Sequence, residues 1–236
     1  NEAVQNLQEI LAVTDGVMVA RGDLGIEVPA EDVPIIQKRI ITEARITGRP
    51  VIIATQMLDS MVHASRPTRA EASDVANAIF DGTDAVMLSN ETAAGDYPLQ
   101  AVETMCRIIK KAEKVTDLTE HYTNSGSQSL PEAMTSAATF LLEDVAASAI
   151  VVPSFYGKTA RLFSRLRPSG FVISPSMNPV VIRQLCLSWG IFPVLVEGSN
   201  PDVLEQEGIQ GALTEGILVE GDLIVVMTAP TEDSEA

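Results

Sequence analysis

Polar residues whose side chains could take part in chemistry follow three apolar stretches of the sequence. Arg21, Gly22 and Asp23 come after the first stretch, Thr55 and Gln56 after the second, and residues 89–92 (SNET) after the third. Asp23 could bind a divalent cation whose other oxygen ligands come from a phosphate-bearing substrate, because Mg²⁺ is usually held by only one or two carboxylates. Two plainer interpretations stay open: Gly-Asp after a strand is commonly a turn, and a strand-end threonine is commonly a helix cap.

A second candidate site lies in residues 152–159 (VPSFYGKT), where an apolar stretch passes into a helical pattern. Ser154, Lys158, Thr159 and the free amides of the helix start could bind a phosphate there. The segment is not a Walker A loop, because Val152 stands where that motif requires its first glycine. A Gly-Lys-Thr helix start that serves only as a cap is the competing interpretation.

The segments that position these residues alternate between strand and helix. Strands are predicted at 17–20, 50–54 and 84–88, the first of them buried on both faces, and residues 21–25 are predicted to form a loop. A capping box at Thr68 and Glu71 predicts one helix start. Such alternation favours parallel strands with right-handed crossovers, in an open doubly wound sheet or a closed barrel. Three units cannot close an eight-stranded barrel, so if the fold is a barrel we expect the remainder of it to precede Asn1.

Composition predicts two domains joined by a polar linker. The first occupies 1–116, the linker 117–130, the second 131–230, and an acidic tail 231–236. The second domain begins with a helical apolar stripe that includes Met134, Leu141, Leu142 and Val145. Its predicted strands lie at 149–152, 171–173, 192–196 and 223–227, which indicates a smaller α/β fold.

Charge and cysteine content exclude several classes of function. The net charge of -16 repels nucleic acid and anionic membranes, and no stretch approaches the roughly 20 apolar residues of a membrane span. We therefore expect no nucleic-acid partner, no membrane and a cytoplasmic location. Cys106 and Cys186 lack metal-binding spacing and are predicted to be buried thiols.

Four long motifs, in order, resemble the pyruvate kinase family. They are residues 15–29 (DGVMVARGDLGIEVP), 50–61 (PVIIATQMLDSM), 65–77 (SRPTRAEASDVAN) and 81–98 (DGTDAVMLSNETAAGDYP). The resemblance implies the last three units of a (β/α)8 TIM barrel, followed by a smaller three-layer α/β domain. Asn90 departs from the family, which commonly has glycine there, and this predicts either local backbone strain or a variant found in a subgroup of the family.

The resemblance also implies an activity and its residues. A pyruvate kinase transfers the phosphoryl group of phosphoenolpyruvate to ADP, giving pyruvate and ATP in glycolysis, with Mg²⁺ or Mn²⁺ and usually K⁺. Asp23 would bind the metal, Gly22 and Asp23 would contact substrate, and Thr55 would lie beside the enolate carbon, with Arg21 a further catalytic candidate. The family's lysine and second metal-binding glutamate would come just before Asn1, so we expect this chain to be inactive by itself. The intact enzyme is expected to be a homotetramer.

For the second domain, the resemblance implies that a phosphorylated effector binds the turn formed by Ser154, Phe155, Tyr156, Gly157, Lys158 and Thr159. Two alternatives stay open. The chain could be a non-catalytic module for assembly and for binding a sugar-phosphate or nucleotide effector, or another metal-dependent enolpyruvate enzyme such as an aldolase. Residues 66–71 (RPTRAE) argue against the aldolase, because in pyruvate kinases this segment lies near the active site and a subunit contact.

Overall fold

The computed structural model describes residues 2–116, 129–197 and 201–227. The chain divides into two compact units, Asn1–Asp117 and Leu118–Ala236. Residues 117–128 of the predicted linker and the predicted tail 231–236 lie outside the described residues. A helix begins at Leu130 and is capped by Ser129, so these last two positions of the predicted linker belong to the second unit. The predicted domain boundaries otherwise stay a prediction.

Unit 1 consists of three strands, each followed by helix, after two short N-terminal helices. Its elements are α1 Glu2–Gln5, α2 Leu7–Val13, β1 Val17–Ala20, α3 Arg21–Glu27, α4 Val33–Ile46, β2 Val51–Ala54, a 3₁₀ turn Asp59–Val62, α5 Arg69–Phe80, β3 Ala85–Val86, α6 Asn90–Ala93 and α7 Pro98–Glu113. The strands pair in the order β1-β2-β3, all parallel, with Val17 opposite Val51 and Ile52 opposite Ala85. The predicted alternation is therefore confirmed, and all three strands end at one edge of the sheet.

The core of unit 1 lies between this sheet and its helices. Val19, Val51 and Ile53 are buried against α4 and α5, through residues such as Ile41 and Val75. The prediction that β1 is buried on both faces is wrong, because Met18 is 53% exposed. Val19, on the opposite face of the strand, is 3% exposed, so helices of this unit cover one face of β1 and leave the face that carries Met18 open.

Two local predictions in unit 1 have opposite outcomes. The predicted capping box is confirmed: the backbone amide of Glu71 donates to the Thr68 side chain, and the Glu71 carboxylate accepts from the Thr68 amide. The predicted loop at 21–25 is wrong, because Arg21 begins helix α3 directly after β1. Gly22 and Gly25 suggested a loop because glycine has a low helix propensity, but tertiary contacts of Arg21 and Gly22 stabilise the helix here.

Unit 2 is a parallel α/β sheet with helices on both faces. Its elements are α8 Leu130–Asp144, β4 Ala149–Val151, α9 Lys158–Leu166, β5 Phe171–Ser176, α10 Pro179–Leu185, β6 Ile191–Leu195, α11 Pro201–Thr214 and β7 Ile224–Val226. The strand order is β6-β5-β4-β7. One core contains Leu142, Phe163 and Leu185 from α8, α9 and α10, and the other contains Ala212 from α11, so the unit has three layers.

Close packing and surface exposure in unit 2 depart from simple patterns. A Cβ atom on Gly211 of α11 would lie 2.7 Å from Cγ1 of Val194, so this helix approaches β6 more closely than any other residue allows. On α8, Met134 and Leu141 are exposed while Thr135, Thr139 and Leu142 are buried. The predicted apolar stripe is therefore correct at Leu142 and wrong at Met134 and Leu141.

The prediction of buried thiols is also wrong. Cys106 on α7 and Cys186 at the end of α10 are both free and exposed. Cys106 follows Thr104 and Met105, which occupy the inward face of α7, and the helical repeat places the next residue outside.

Candidate functional site

The carboxyl edge of the β1-β2-β3 sheet brings two of the three predicted polar clusters into contact. The backbone amide of Gly22 donates a hydrogen bond of 2.9 Å to Oγ1 of Thr55, and this hydroxyl donates to the carbonyl of Ala54 at 2.7 Å. Gly22 lies at the start of α3 and Thr55 at the end of β2. Because parallel strands end at one edge, residues 33 positions apart in the chain share one site.

Arg21 fixes the backbone of the segment after β2. Its guanidinium donates to the carbonyls of Thr55 at 2.8 Å and Gln56 at 3.2 Å, and forms an ion pair with the carboxylate of Asp74 on α5. The Arg21 side chain is only 12% exposed. This geometry makes Arg21 an anchor for the loop, while its proposed catalytic role stays a prediction.

The anchored segment has a strained backbone. Thr55 and Gln56 have φ angles of 69° and 53°, in the left-handed region that residues other than glycine rarely adopt. Such a conformation persists only where surrounding contacts determine it, and it is common at functional sites. No glycine signals this feature in the sequence.

Two glutamates hold the same loop from the other side. Glu91, which is 1% exposed, accepts from the amide of Leu58 at 3.1 Å and from the amide of Ser89 at 2.8 Å. Glu71 accepts from the amide and hydroxyl of Ser60 as well as from its capping partner. The pKa of Glu71 lies below its usual value, because these hydrogen bonds together outweigh burial, which is the largest single influence and raises the pKa. The sequence analysis did not identify either carboxylate as a loop anchor.

Asp23 is exposed at the start of α3. It borders an open, largely apolar cleft of about 470 Å³ that follows β1 and includes Leu7, Val19 and Leu24. Within the described part of the chain, no three His, Cys, Asp or Glu side chains are grouped so that they could hold a metal ion. Asp23 can therefore supply one carboxylate to a cation whose other ligands come from elsewhere.

The third predicted cluster, residues 89–92, contributes through Glu91 and not through its exposed side chains. Asn90 begins α6 and does not have a positive φ angle, so the strain expected from its replacement of glycine is not present. In the same unit, Nδ1 of His63 lies 3.1 Å from Oδ2 of Asp96.

In unit 2, residues 152–157 connect β4 to α9, and Lys158 and Thr159 are the first two residues of that helix. Gly157 is the N-cap of α9 with a φ angle of 75°, and no side chain caps the helix there. The amides of the first helical turn, including those of Lys158 and Thr159, therefore point out of the helix without a capping partner. Ser154 is buried below the turn, whereas Phe155 and Tyr156 are 39% and 74% exposed at its surface. The six predicted residues are therefore consecutive at the end of this connection and the start of α9, and their role stays a prediction.

The comparisons with known proteins agree over both units. Residues 1–102 match the model "Pyruvate kinase, barrel domain", and residues 132–235 match "Pyruvate kinase, alpha/beta domain". The chain belongs to the pyruvate kinase family.

Individual relatives give the extent of the match. Pyruvate kinase 2 of a Synechocystis strain is 49% identical over 232 residues, which cover 98% of this chain and 39% of that protein. The pyruvate kinase of Bacillus licheniformis is 46% identical over 229 residues, covering 95% and 39%. A crystal structure of a Cryptosporidium parvum pyruvate kinase superposes with a TM-score of 0.91 at 38% identity, covering 97% of this chain and 47% of that one.

This chain thus spans between 39% and 47% of the length of these pyruvate kinases. The family match confirms the resemblance drawn from the four motifs and the fold that it implied, part of a barrel followed by an α/β domain. In the described part of the chain, no helix combines the length and apolar character needed to cross a membrane.

The tryptophan of unit 2, Trp189, stacks on an arginine. It is half-buried, with the guanidinium carbon of Arg167 5.3 Å from its ring centroid. Arg167 is itself 2% exposed and donates to the carbonyl of Ser164 at 2.8 Å. Trp189 therefore packs against a buried cation.

Proposed function

We propose that this chain provides part of the active site of a pyruvate kinase, which transfers the phosphoryl group of phosphoenolpyruvate to ADP and yields pyruvate and ATP. The observation that carries the proposal is the hydrogen bond from the Gly22 amide to Thr55 Oγ1. It joins two motifs of the family at the sheet edge where α/β enzymes bind their substrates. The proposed cytoplasmic location follows from this metabolic role.

In this proposal the residues of the site have separate tasks. The Gly22 backbone and the Asp23 carboxylate contact the substrate, and Asp23 binds Mg²⁺ or Mn²⁺. The cation would offset negative charge on the phosphoryl and enolate oxygens. A single exposed carboxylate fits this metal, since Mg²⁺ commonly takes its remaining ligands from substrate and water. The proposal also includes K⁺, to which no residue of this chain is assigned.

Thr55 would act at the enolate carbon. Its hydroxyl accepts a hydrogen bond from the Gly22 amide and donates one to the Ala54 carbonyl, and these two bonds fix the orientation of the hydroxyl. An oriented hydroxyl of this kind can order a water molecule that delivers a proton. Arg21 would serve catalysis by holding the carbonyl of Thr55 and thus the position of this hydroxyl.

The lysine and the second glutamate that the resemblance implies are absent from this sequence. We therefore propose that the 236-residue chain does not catalyse this phosphoryl transfer by itself. The non-catalytic alternative, a module for assembly and effector binding, is favoured for unit 2 by the uncapped start of α9 above the buried Ser154. A phosphorylated effector would bind there, and the exposed Met134 and Leu141 of α8 offer apolar surface that a tetramer could cover.

A chimaera tests the catalytic proposal, with this chain replacing the matching part of the Bacillus licheniformis pyruvate kinase. We expect pyruvate formation that depends on phosphoenolpyruvate, ADP and Mg²⁺, and a loss of about 10²-fold or more in kcat for Asp23→Asn. Asp15→Asn is the matched control, because Asp15 is an exposed aspartate at the opposite end of β1. A folded chimaera without activity, or equal losses in both variants, would refute the proposed role of this site.

A further inference from the structure

The loop after β2 is held by charged side chains from three separate elements. Arg21 of α3 binds the carbonyls of Thr55 and Gln56, while Glu91 of α6 binds the amide of Leu58. Glu71 of α5 binds the amide of Ser60. We infer that Glu91 is a positioning residue, which fixes the Thr55 hydroxyl by holding the far end of this loop. The inference rests on the proposed function, because it assigns Glu91 a role at that same site.

Burial of the Glu91 carboxylate indicates that it has a specific task. A carboxylate that is 1% exposed carries a desolvation cost, which its hydrogen bonds must offset. Both oxygens accept from backbone amides, one in the loop after β2 and one at Ser89 after β3. Glu91 therefore ties two successive strand-end loops together at the carboxyl edge of the sheet.

The position of Leu58 determines that of Thr55 because little freedom lies between them. Met57 and Leu58 are fully buried, and Thr55 and Gln56 have the left-handed φ angles described above. A strained pair of residues relaxes unless both of its ends are fixed. Arg21 holds the carbonyls of Thr55 and Gln56, and Glu91 holds the backbone amide of Leu58. Loss of the hydrogen bond to Leu58 should therefore allow Thr55 to move.

A direct role in catalysis is excluded for Glu91 by its surroundings. With 1% exposure and both oxygens directed at amides, the carboxylate does not reach the surface where Gly22 and Asp23 lie. Gly22 touches Thr55 but has no hydrogen bond to Glu91. The Gly22 amide therefore reports the position of the Thr55 hydroxyl. A substitution at Glu91 can affect this amide only by moving the loop after β2.

The test uses amide hydrogen exchange and amide proton shifts, measured by NMR on the full chain with Glu91→Gln. Glutamine keeps the shape but places an NH₂ group against one of the two amide donors. We expect about tenfold faster exchange at Leu58 and Ser89, together with a changed proton shift and faster exchange at Gly22. The exchange rate of the amide of Val19, a buried residue of β1, should remain unchanged. Glu103→Gln on α7 is the matched control, since Glu103 is an exposed glutamate of the same unit.

Three results would overturn the inference: no change at Leu58 and Ser89, a change there with Gly22 unaltered, or a uniform rise at all amides including Val19. If Glu91→Gln does not fold, Glu91→Asp takes its place under the same criteria, because it keeps the charge but is too short to reach both amides. In the chimaera, Glu91→Gln should lower kcat about tenfold with a smaller change in KM for phosphoenolpyruvate. The NMR result does not depend on turnover, so failure of the inference and failure of the proposed function can be told apart.

Discussion

Glu132 links the start of α8 to α9, and its removal should destabilise unit 2 in a pH-dependent way. Its carboxylate accepts from the amide of Ser129 at 3.0 Å and from the hydroxyl at 2.8 Å, and it pairs with Arg165 at 2.9 Å. The backbone hydrogen bond from Ser129, then its hydroxyl and the Arg165 side chain, lower the pKa of Glu132 to about 2. We consider the substitution Glu132→Gln.

The size of the effect follows from this pKa. A fall from the ordinary value of 4.5 to about 2 corresponds to about 3.4 kcal/mol, at about 1.4 kcal/mol per pKa unit. Because the side chain is 25% exposed, solvent screening reduces the contribution to about 1–2 kcal/mol. The folded-state pKa is depressed, so the contribution is complete above pH 4.5 and is lost as the pH falls towards 2.

Urea unfolding followed by tryptophan fluorescence measures this prediction, because Trp189 is the single tryptophan and reports on unit 2 alone. We expect Glu132→Gln to lower the free energy of unfolding by about 1–2 kcal/mol at pH 7. This gap in unfolding free energy between the unsubstituted chain and the variant should narrow as the pH falls from 5 to 3. Glu207→Gln, at an exposed glutamate of α11, is the control and should show no such gap. A gap that stays constant across this pH range would refute the reasoning.

Two glycine substitutions in unit 2 test its packing by the same unfolding assay. In Gly170→Ala the new Cβ would lie 2.6 Å from the carbonyl oxygen of Ser148, so we expect a loss of about 1–3 kcal/mol, and a loss below about 0.5 kcal/mol would contradict this. Gly157→Ala should cost more than Gly216→Ala: both glycines have positive φ, but only Gly157 would also place a Cβ 3.1 Å from Leu185. A smaller loss at Gly157 would show that the turn is not packed as described.

Sequence patterns predicted the elements of unit 1 well where local signals agree with tertiary structure. The capping box at Thr68 and the apolar strand residues of β2 are as expected. Arg21 begins a helix where a loop was predicted, because its guanidinium is fixed by partners that lie 34 to 53 positions away in the sequence. Contacts at this separation have no periodic signature in a single sequence.

The candidate site was only partly predictable for the same reason. The motifs identified Gly22, Asp23 and Thr55, and the structure places the amide of Gly22 on Thr55. Nothing in the local sequence distinguishes the buried Glu91 from an exposed glutamate at a helix start. Its partner amides belong to the backbone, which any residue type provides. Glu91 could be recognised only once the strand-end loops were placed side by side.

In unit 2 the α8 surface shows a further limit of pattern reading. Met134 and Leu141 were assigned to the apolar stripe but are exposed, whereas Thr135 and Thr139 are buried. A threonine can lie on the core-facing side of a helix when its hydroxyl donates to a carbonyl of the preceding turn, as Thr135 does to the carbonyl of Pro131 at 3.0 Å. Hydrophobicity alone therefore selected a neighbouring face of this helix.

The strand order of unit 2 determines when during synthesis its sheet can be completed. β4 pairs with β5, and on its other side with β7, where Ala149 lies opposite Ile224. As the chain leaves the ribosome, β4, β5 and β6 can pair early, but one edge of β4 stays open until residues 224–226 emerge. The residues of β4 are apolar and fully buried in the folded unit. Until β7 is made, the unpaired edge of β4 can therefore pair with a strand of another chain. β7, the last strand that the described residues contain, therefore protects the open edge of β4 from aggregation.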